Sequence, residues 1–256
     1  MQPFPYATSV WPYVGGLPLL TASLMDAVSE PFAGSLVLSL ALRPKAIIAA
    51  EADPELFDMW EWLRTKATHN DLTELEGIRV QRPKPMIGGI YSKMLKPMLS
   101  LLKLASNGRQ NLYSAVQRPG TIDFSSLKED LPYIQSALRP MRRHWQDALG
   151  RCPKRTFYFI DLPQRKPTHS HAYGPDVGFV DFAGLDKRLR EIDKDPWVLV
   201  SKNPKRVLME MQPVRQLEFP VLRGPGTPPS GLWYCGNVNA QQEQEMSKAL
   251  VPELLL

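Results

Sequence analysis

Glu30-Pro31-Phe32-Ala33-Gly34-Ser35-Leu36-Val37-Leu38-Ser39-Leu40, followed by Ala46-Ile47-Ile48-Ala49-Ala50-Glu51, is the stretch whose order decides the fold class. Phe32 to Ser35 is a turn of small residues behind an acid, and an apolar run follows it. Ala46 to Ala50 is an apolar stretch of strand length that stops at Glu51. Asp53-Pro54 then opens a helix, proline being suited to the first turn. Leu56, Met59, Trp60 and Leu63 return at helical spacing from there. Strands and helices alternating at these intervals predict an α/β domain on a mostly parallel sheet. In such a sheet ligands bind beyond the carboxyl ends of the strands, where a glycine turn lets them approach the backbone. An acid at a strand end, about 20 residues past a glycine turn, can accept bonds from two ribose hydroxyls. With one glycine in the turn, a close-packed turn followed by a helix-capping acid fits the same residues equally well.

Outward from this corner, a helix is predicted around Pro18 to Val28. Tyr91 to Leu104 holds Met94, Leu95, Met98, Leu101 and Leu102 at helical spacing, with Pro97 kinking or shortening it. Leu127 to Leu149 reads as one or two helices broken near Pro140. Thr156-Phe157-Tyr158-Phe159-Ile160 is the clearest buried strand and ends at Asp161. A helix from Phe182 to Ile192, a strand at Trp197 to Val200, and two last strands at Arg215 to Leu222 and Leu232 to Cys235 complete the pattern. Residues 223–231 are too long for a tight turn.

Charge is uneven along the chain. Residues 1–78 hold ten acids and four bases, a net of −6 against +5 for the whole, which leaves +11 for the remainder. From residue 79 to 122 there are eight bases (Arg79, Arg82, Lys84, Lys93, Lys96, Lys103, Arg109 and Arg118) and no acid. One sign over that length suits a polyanion such as nucleic acid; a solvated face is the plainer reading. Arg139, Arg142, Arg143 and His144 form a second basic cluster, fit either for phosphate or for a helix's outer face. Cys152 and Cys235 are too few for a disulfide framework and read as reduced thiols. No secretory signal or membrane-length apolar run is evident, so a soluble cytoplasmic protein is expected. His169-Ser170-His171 lacks partners at metal spacing, and no metal is expected.

The order of elements resembles the Dam-type (D12 class) adenine-N6 DNA methyltransferases over most of the chain. Pro12-Tyr13-Val14-Gly15-Gly16 looks like that family's opening aromatic and Gly-Gly element, and Glu30 to Leu40 like its cofactor motif. Glu51 falls at the ribose-binding acid. His144-Trp145 stands where an Asp usually contacts the cofactor adenine, and Asp161-Leu162-Pro163-Gln164 stands at the catalytic turn, usually Asp-Pro-Pro-Tyr. The resemblance implies a Rossmann-like S-adenosylmethionine-dependent methyltransferase sheet with a mainly helical insertion. Residues 1–64 and 156–256 would form the catalytic domain and 65–155 a basic target-recognition insertion for double-stranded DNA. It also implies cofactor contacts at Tyr13, Gly15, Gly16, Phe32, Ala33, Gly34, Glu51, His144 and Trp145. DNA contacts would come from Arg79, Arg82, Lys84, Lys93, Lys96, Arg109, Arg118, Arg142 and Arg143. Departures from the family pattern are Leu17 for its Lys, Ser35 for its second motif glycine, and the catalytic turn itself.

The chemistry ranks these departures. The adenine amino nitrogen is a poor nucleophile, and the family presents it by accepting both its hydrogens, one on a carboxylate and one on a backbone carbonyl. Such positioning needs no base of shifted pKa. Asp161 keeps the first acceptor and the Leu162 carbonyl the second. Gln164 cannot replace an aromatic that stacks on a flipped base, an interaction worth about 1–3 kcal/mol; Tyr173 is near in sequence. A fold that kept DNA or partner binding and lost catalysis, or a methyltransferase for another base or RNA, fits the same departures.

Overall fold

Ala27-Val28-Ser29-Glu30, part of which the sequence pattern assigns to a helix reaching Val28, is instead a strand, β1 (Ala27–Glu30), in the computed structural model. Alanine and serine have little preference for strands on their own. Pairing decides the matter here. β1 lies between β2 (Ala46–Ala49) and β3 (Thr156–Asp161), parallel to both, and all four of its residues are buried. The structure describes residues 25–34, 36–76, 95–105, 124–150, 152–162, 180–192, 195–201, 215–218 and 232–236. The expected helix before residue 25 lies outside them.

β3 pairs in parallel with β4 (Trp197–Ser201). Beyond β4 the direction reverses: β6 (Leu232–Gly236) is antiparallel to β4 and to the outer strand β5 (Arg215–Glu218). The order is β2-β1-β3-β4-β6-β5. A short stretch, residues 138–142, runs along the edge of β2 away from β1, with parallel bridges Ile47 to Leu138 and Ala50 to Arg142. The Arg139 and Arg142 amides donate to the carbonyls of Ile47 and Ala49, at 2.9 and 3.0 Å, and the Glu51 amide donates back to Arg142, at 2.9 Å. Pro140 has no amide to offer, and the Met141 amide donates to Glu61 at 2.6 Å. The outer edge of this stretch therefore offers no spare amide donor among its described residues.

The helices are α1 (Val37–Leu42), α2 (Pro54–Thr65), α3 (His69–Glu76), α4 (Lys96–Ala105), α5 (Ser125–Ala137), α6 (Trp145–Gly150) and α7 (Phe182–Glu191). Pro97 stands at the second residue of α4, so it begins the helix there rather than kinking a longer one. On one face of the sheet, Ile47 and Ala49 join Met59, Trp60 and Leu63 of α2, Met98 and Leu101 of α4, and Leu127, Leu131 and Ile134 of α5 in one core. Each such large side chain contributes about 1.5–3 kcal/mol on burial. Helices α3, α4 and α5 of the segment 65–155 thus share a core with β2 and α2. On the other face, α6 and α7 cover Tyr158 and Ile160 of β3 and Trp197 and Leu199 of β4. With helices on both faces and four parallel strands at its centre, the chain is an α/β protein. Among the described residues no helix is long and apolar enough to cross a membrane.

Candidate functional site at the carboxyl edge of the parallel strands

β1 has β2 on one side and β3 on the other, so the chain leaves β1 in one direction first and the opposite direction later. Such a switch point opens a crevice beyond the carboxyl ends of the two strands. Three acids gather there. Glu30 ends β1, Asp161 ends β3, and Glu51 follows β2.

Glu51 is buried and joins two loops. Its Oε2 accepts the Gly34 amide and its Oε1 the Asp53 amide, each at 2.9 Å. Burial pushes its pKa up to about 7, against the pull of those amides. The helix cap that competes with a ligand role in the sequence belongs to Asp53, whose carboxylate accepts the Glu55 and Leu56 amides at 2.8 and 3.3 Å. Glu51 is therefore a pin between the turns after β1 and β2.

Gly34 is held on each side. Besides its amide, its carbonyl accepts the Trp60 indole N–H of α2 at 2.9 Å, while the neighbouring Ala33 amide donates to Ala50 at 2.9 Å. Its φ of 47° is a left-handed conformation that glycine adopts without the cost of a Cβ. Leu36, with φ of 50°, adopts the same region at the start of α1, a local cost of about 1–2 kcal/mol. Its side chain is buried in the core below the turn.

Glu30, the acid that opens the motif-like stretch in the sequence, sits at the end of β1. It is buried, accepts the Ser39 amide at 2.8 Å, and burial drives its pKa to about 7, with the charge of nearby Asp161 adding to the rise. Asp161 is half-buried and belongs to β3 itself, opposite Val200 of β4. The N-cap of the next helix, α7, is Asp181. Leu162 is buried in the core under α7. Pro163, Gln164, His169, His171 and Tyr173 lie outside the described residues.

Phe32 and Trp145 come together although 113 residues separate them, their rings stacked with centroids 6.2 Å apart and planes 28° from parallel. Both pack on the cluster that includes Leu162 and Ile160, so this aromatic pair borders the carboxyl end of β3. His144 is exposed, and its carbonyl accepts the Asp147 amide at 3.1 Å at the start of α6. Tyr13, Gly15 and Gly16 lie outside the described residues.

Of the expected basic contacts, Lys96 is exposed at the start of α4. Arg143 stands 3.6 Å from the centre of the Phe57 ring and 3.5 Å from Asp58, so its charge is already engaged within the chain. Arg142 is half-buried, and its Nε has no hydrogen-bond partner among the described residues. Arg79, Arg82, Lys84, Lys93, Arg109 and Arg118 lie outside the described residues. Among the described residues no cluster of three His, Cys, Asp or Glu side chains could hold a metal ion.

An acceptor and an aromatic pair meet at this edge. Glu51 accepts the Gly34 and Asp53 amides, with the Ala52 amide also against its carboxylate, and of about four lone-pair positions this keeps room for a ribose hydroxyl. An aromatic pair flanks the same edge. No family model matches this chain, and a search of curated proteins returns no match.

Proposed function

We propose that the chain is an S-adenosylmethionine-dependent methyltransferase that acts on the amino group of adenine in DNA. The observation that supports this best is the convergence of Glu51, Gly34 and Asp161 at one switch point, from three distant parts of the sequence. The order of the described elements along the chain supports the same reading. When bound, the cofactor supplies an electrophilic methyl group on a positively charged sulfur. Glu51 would accept a ribose hydroxyl, and Phe32 with Trp145 would flank the adenine of the cofactor. Asp161 and the Leu162 carbonyl would each accept one amino hydrogen of the target base, turning its nitrogen lone pair toward the methyl group. The target must leave the duplex to reach them. Basic residues between 79 and 155 would neutralise phosphates, giving binding a steep salt dependence.

The test is transfer of a radiolabelled methyl group from S-adenosylmethionine to unmethylated DNA. Transfer by the wild-type chain with loss of about a hundredfold or more in Asp161→Ala is expected. Transfer that survives Asp161→Ala overturns the assignment of the acid. A second reading has its own support: Glu51, Gly34 and Trp60 satisfy one another's hydrogen bonds without any ligand. A DNA-binding or interaction protein that kept this fold and lost catalysis would have such a closed corner. It would bind DNA and show no heat of binding with the cofactor.

A further inference from the structure

We propose that Trp60 is a positioning residue for the Gly34 turn, fixing the backbone that an adenosyl cofactor approaches; this rests on the cofactor reading above. Trp60 is fully buried in the core between β2, α2 and α4, and no other residue of α2 reaches the turn with a hydrogen-bond donor among the described residues. A buried indole needs an acceptor for its N–H. Here the acceptor is the Gly34 carbonyl, at 2.9 Å.

The geometry goes beyond packing. The Ala33 amide bond to Ala50 and the Gly34 amide bond to Glu51 already close the turn from the amide side. The Trp60 bond grips the carbonyl side of the same residue, which has the backbone freedom of a glycine at φ of 47°. With the amide and the carbonyl of Gly34 both held, a ligand meets a turn that is already shaped. A phenylalanine at position 60 would fill much of the same volume and leave the carbonyl unheld. Trp60 touches neither substrate nor cofactor in this scheme; it acts through Gly34.

The experiment uses the full chain in four forms: wild type, Trp60→Phe, a chain with benzothienylalanine at position 60, and Met59→Ala. Benzothienylalanine keeps the ring shape of tryptophan and lacks the donor, so it remains informative should Trp60→Phe fail to fold. Met59→Ala damages the same core and removes no hydrogen-bond donor to the turn. Affinity for S-adenosylmethionine is measured by calorimetry, and hydrogen exchange at the Ala33 and Gly34 amides is measured without cofactor. Both donor-less chains should bind about tenfold more weakly, the scale of one lost hydrogen bond. They should also exchange faster at those two amides, while Met59→Ala loses stability without either change. Wild-type affinity or unchanged exchange in the benzothienylalanine chain overturns the proposal. If the wild-type chain does not bind the cofactor, the functional reading fails by itself, and the exchange measurement alone decides whether Trp60 holds the turn.

Discussion

Glu51 and Asp161 are both acids at the carboxyl edge of neighbouring parts of one sheet, and they are built differently. Glu51 is buried, with each carboxylate oxygen taking a backbone amide from a different loop. Asp161 is half-buried at the end of a strand, with its backbone in register with β4. One acid shapes the edge, and the other is presented by it. A carboxylate tied this way contributes to stability and to ligand binding together, whereas Asp161 is less deeply buried and its exchange for Asn keeps an oxygen acceptor at the same place.

The largest expected effect separates the two directly. Glu51→Ala leaves the Gly34 and Asp53 amides without their acceptors, and at about 1–3 kcal/mol per unsatisfied group the loss should be about 2–5 kcal/mol in urea unfolding. Asp161→Asn should change the same measurement by under about 1 kcal/mol. Equal losses in the two variants would break the comparison.

Acidity sharpens it next. Glu30 and Glu51 are raised to about 7 from an ordinary value near 4.5. Each therefore holds a proton in the folded chain that the unfolded chain releases. Stability from these groups is fully present below about 4.5, declines as pH rises through the window to about 7, and is constant above it. Glu30→Gln keeps an acceptor for the Ser39 amide and removes a buried charge. It should raise the urea midpoint at pH 8 and flatten the decline between pH 5 and 8. A midpoint that rises with pH in the wild-type chain would contradict the burial of these acids.

A smaller effect probes the turn. Gly34→Ala places a side chain at φ of 47° and should cost about 1–2 kcal/mol in urea unfolding, with weaker cofactor binding. At the far side of the sheet, a Cβ on Gly236 would meet the Trp197 ring at 2.3 Å. Gly236→Ala should cost about 1–3 kcal/mol from overpacking while leaving cofactor binding unchanged. Loss of binding in Gly236→Ala would mean that the corner is not a local unit.

Much of this arrangement is legible in the amino-acid sequence. Ala46 to Ala50, Thr156 to Ile160 and the α2 spacing of Met59, Trp60 and Leu63 announce themselves through long apolar runs or a 3.6-residue period. β1 does not, because Ala27 and Ser29 gain their strand geometry from neighbours 19 and 129 residues away. The stretch at residues 138–142 is hidden for the same reason, since it offers only Leu138 and Met141 as apolar residues around Pro140. Asp53 as the cap can be read from Asp53-Pro54. The Glu51 pin cannot, because its partner on Gly34 is an amide, and backbone groups leave no mark in a sequence. Phe32 and Trp145 are both expected near the cofactor through the resemblance, yet their stacking depends on how α6 crosses the sheet.

The most direct test of the central claim is a calorimetric titration of the full chain with S-adenosylmethionine, repeated with Glu51→Ala. A saturable heat at one cofactor per chain, weakened or lost in Glu51→Ala while a folded Asp161→Asn chain retains it, is the predicted result. A folded wild-type chain that gives no binding heat would contradict it.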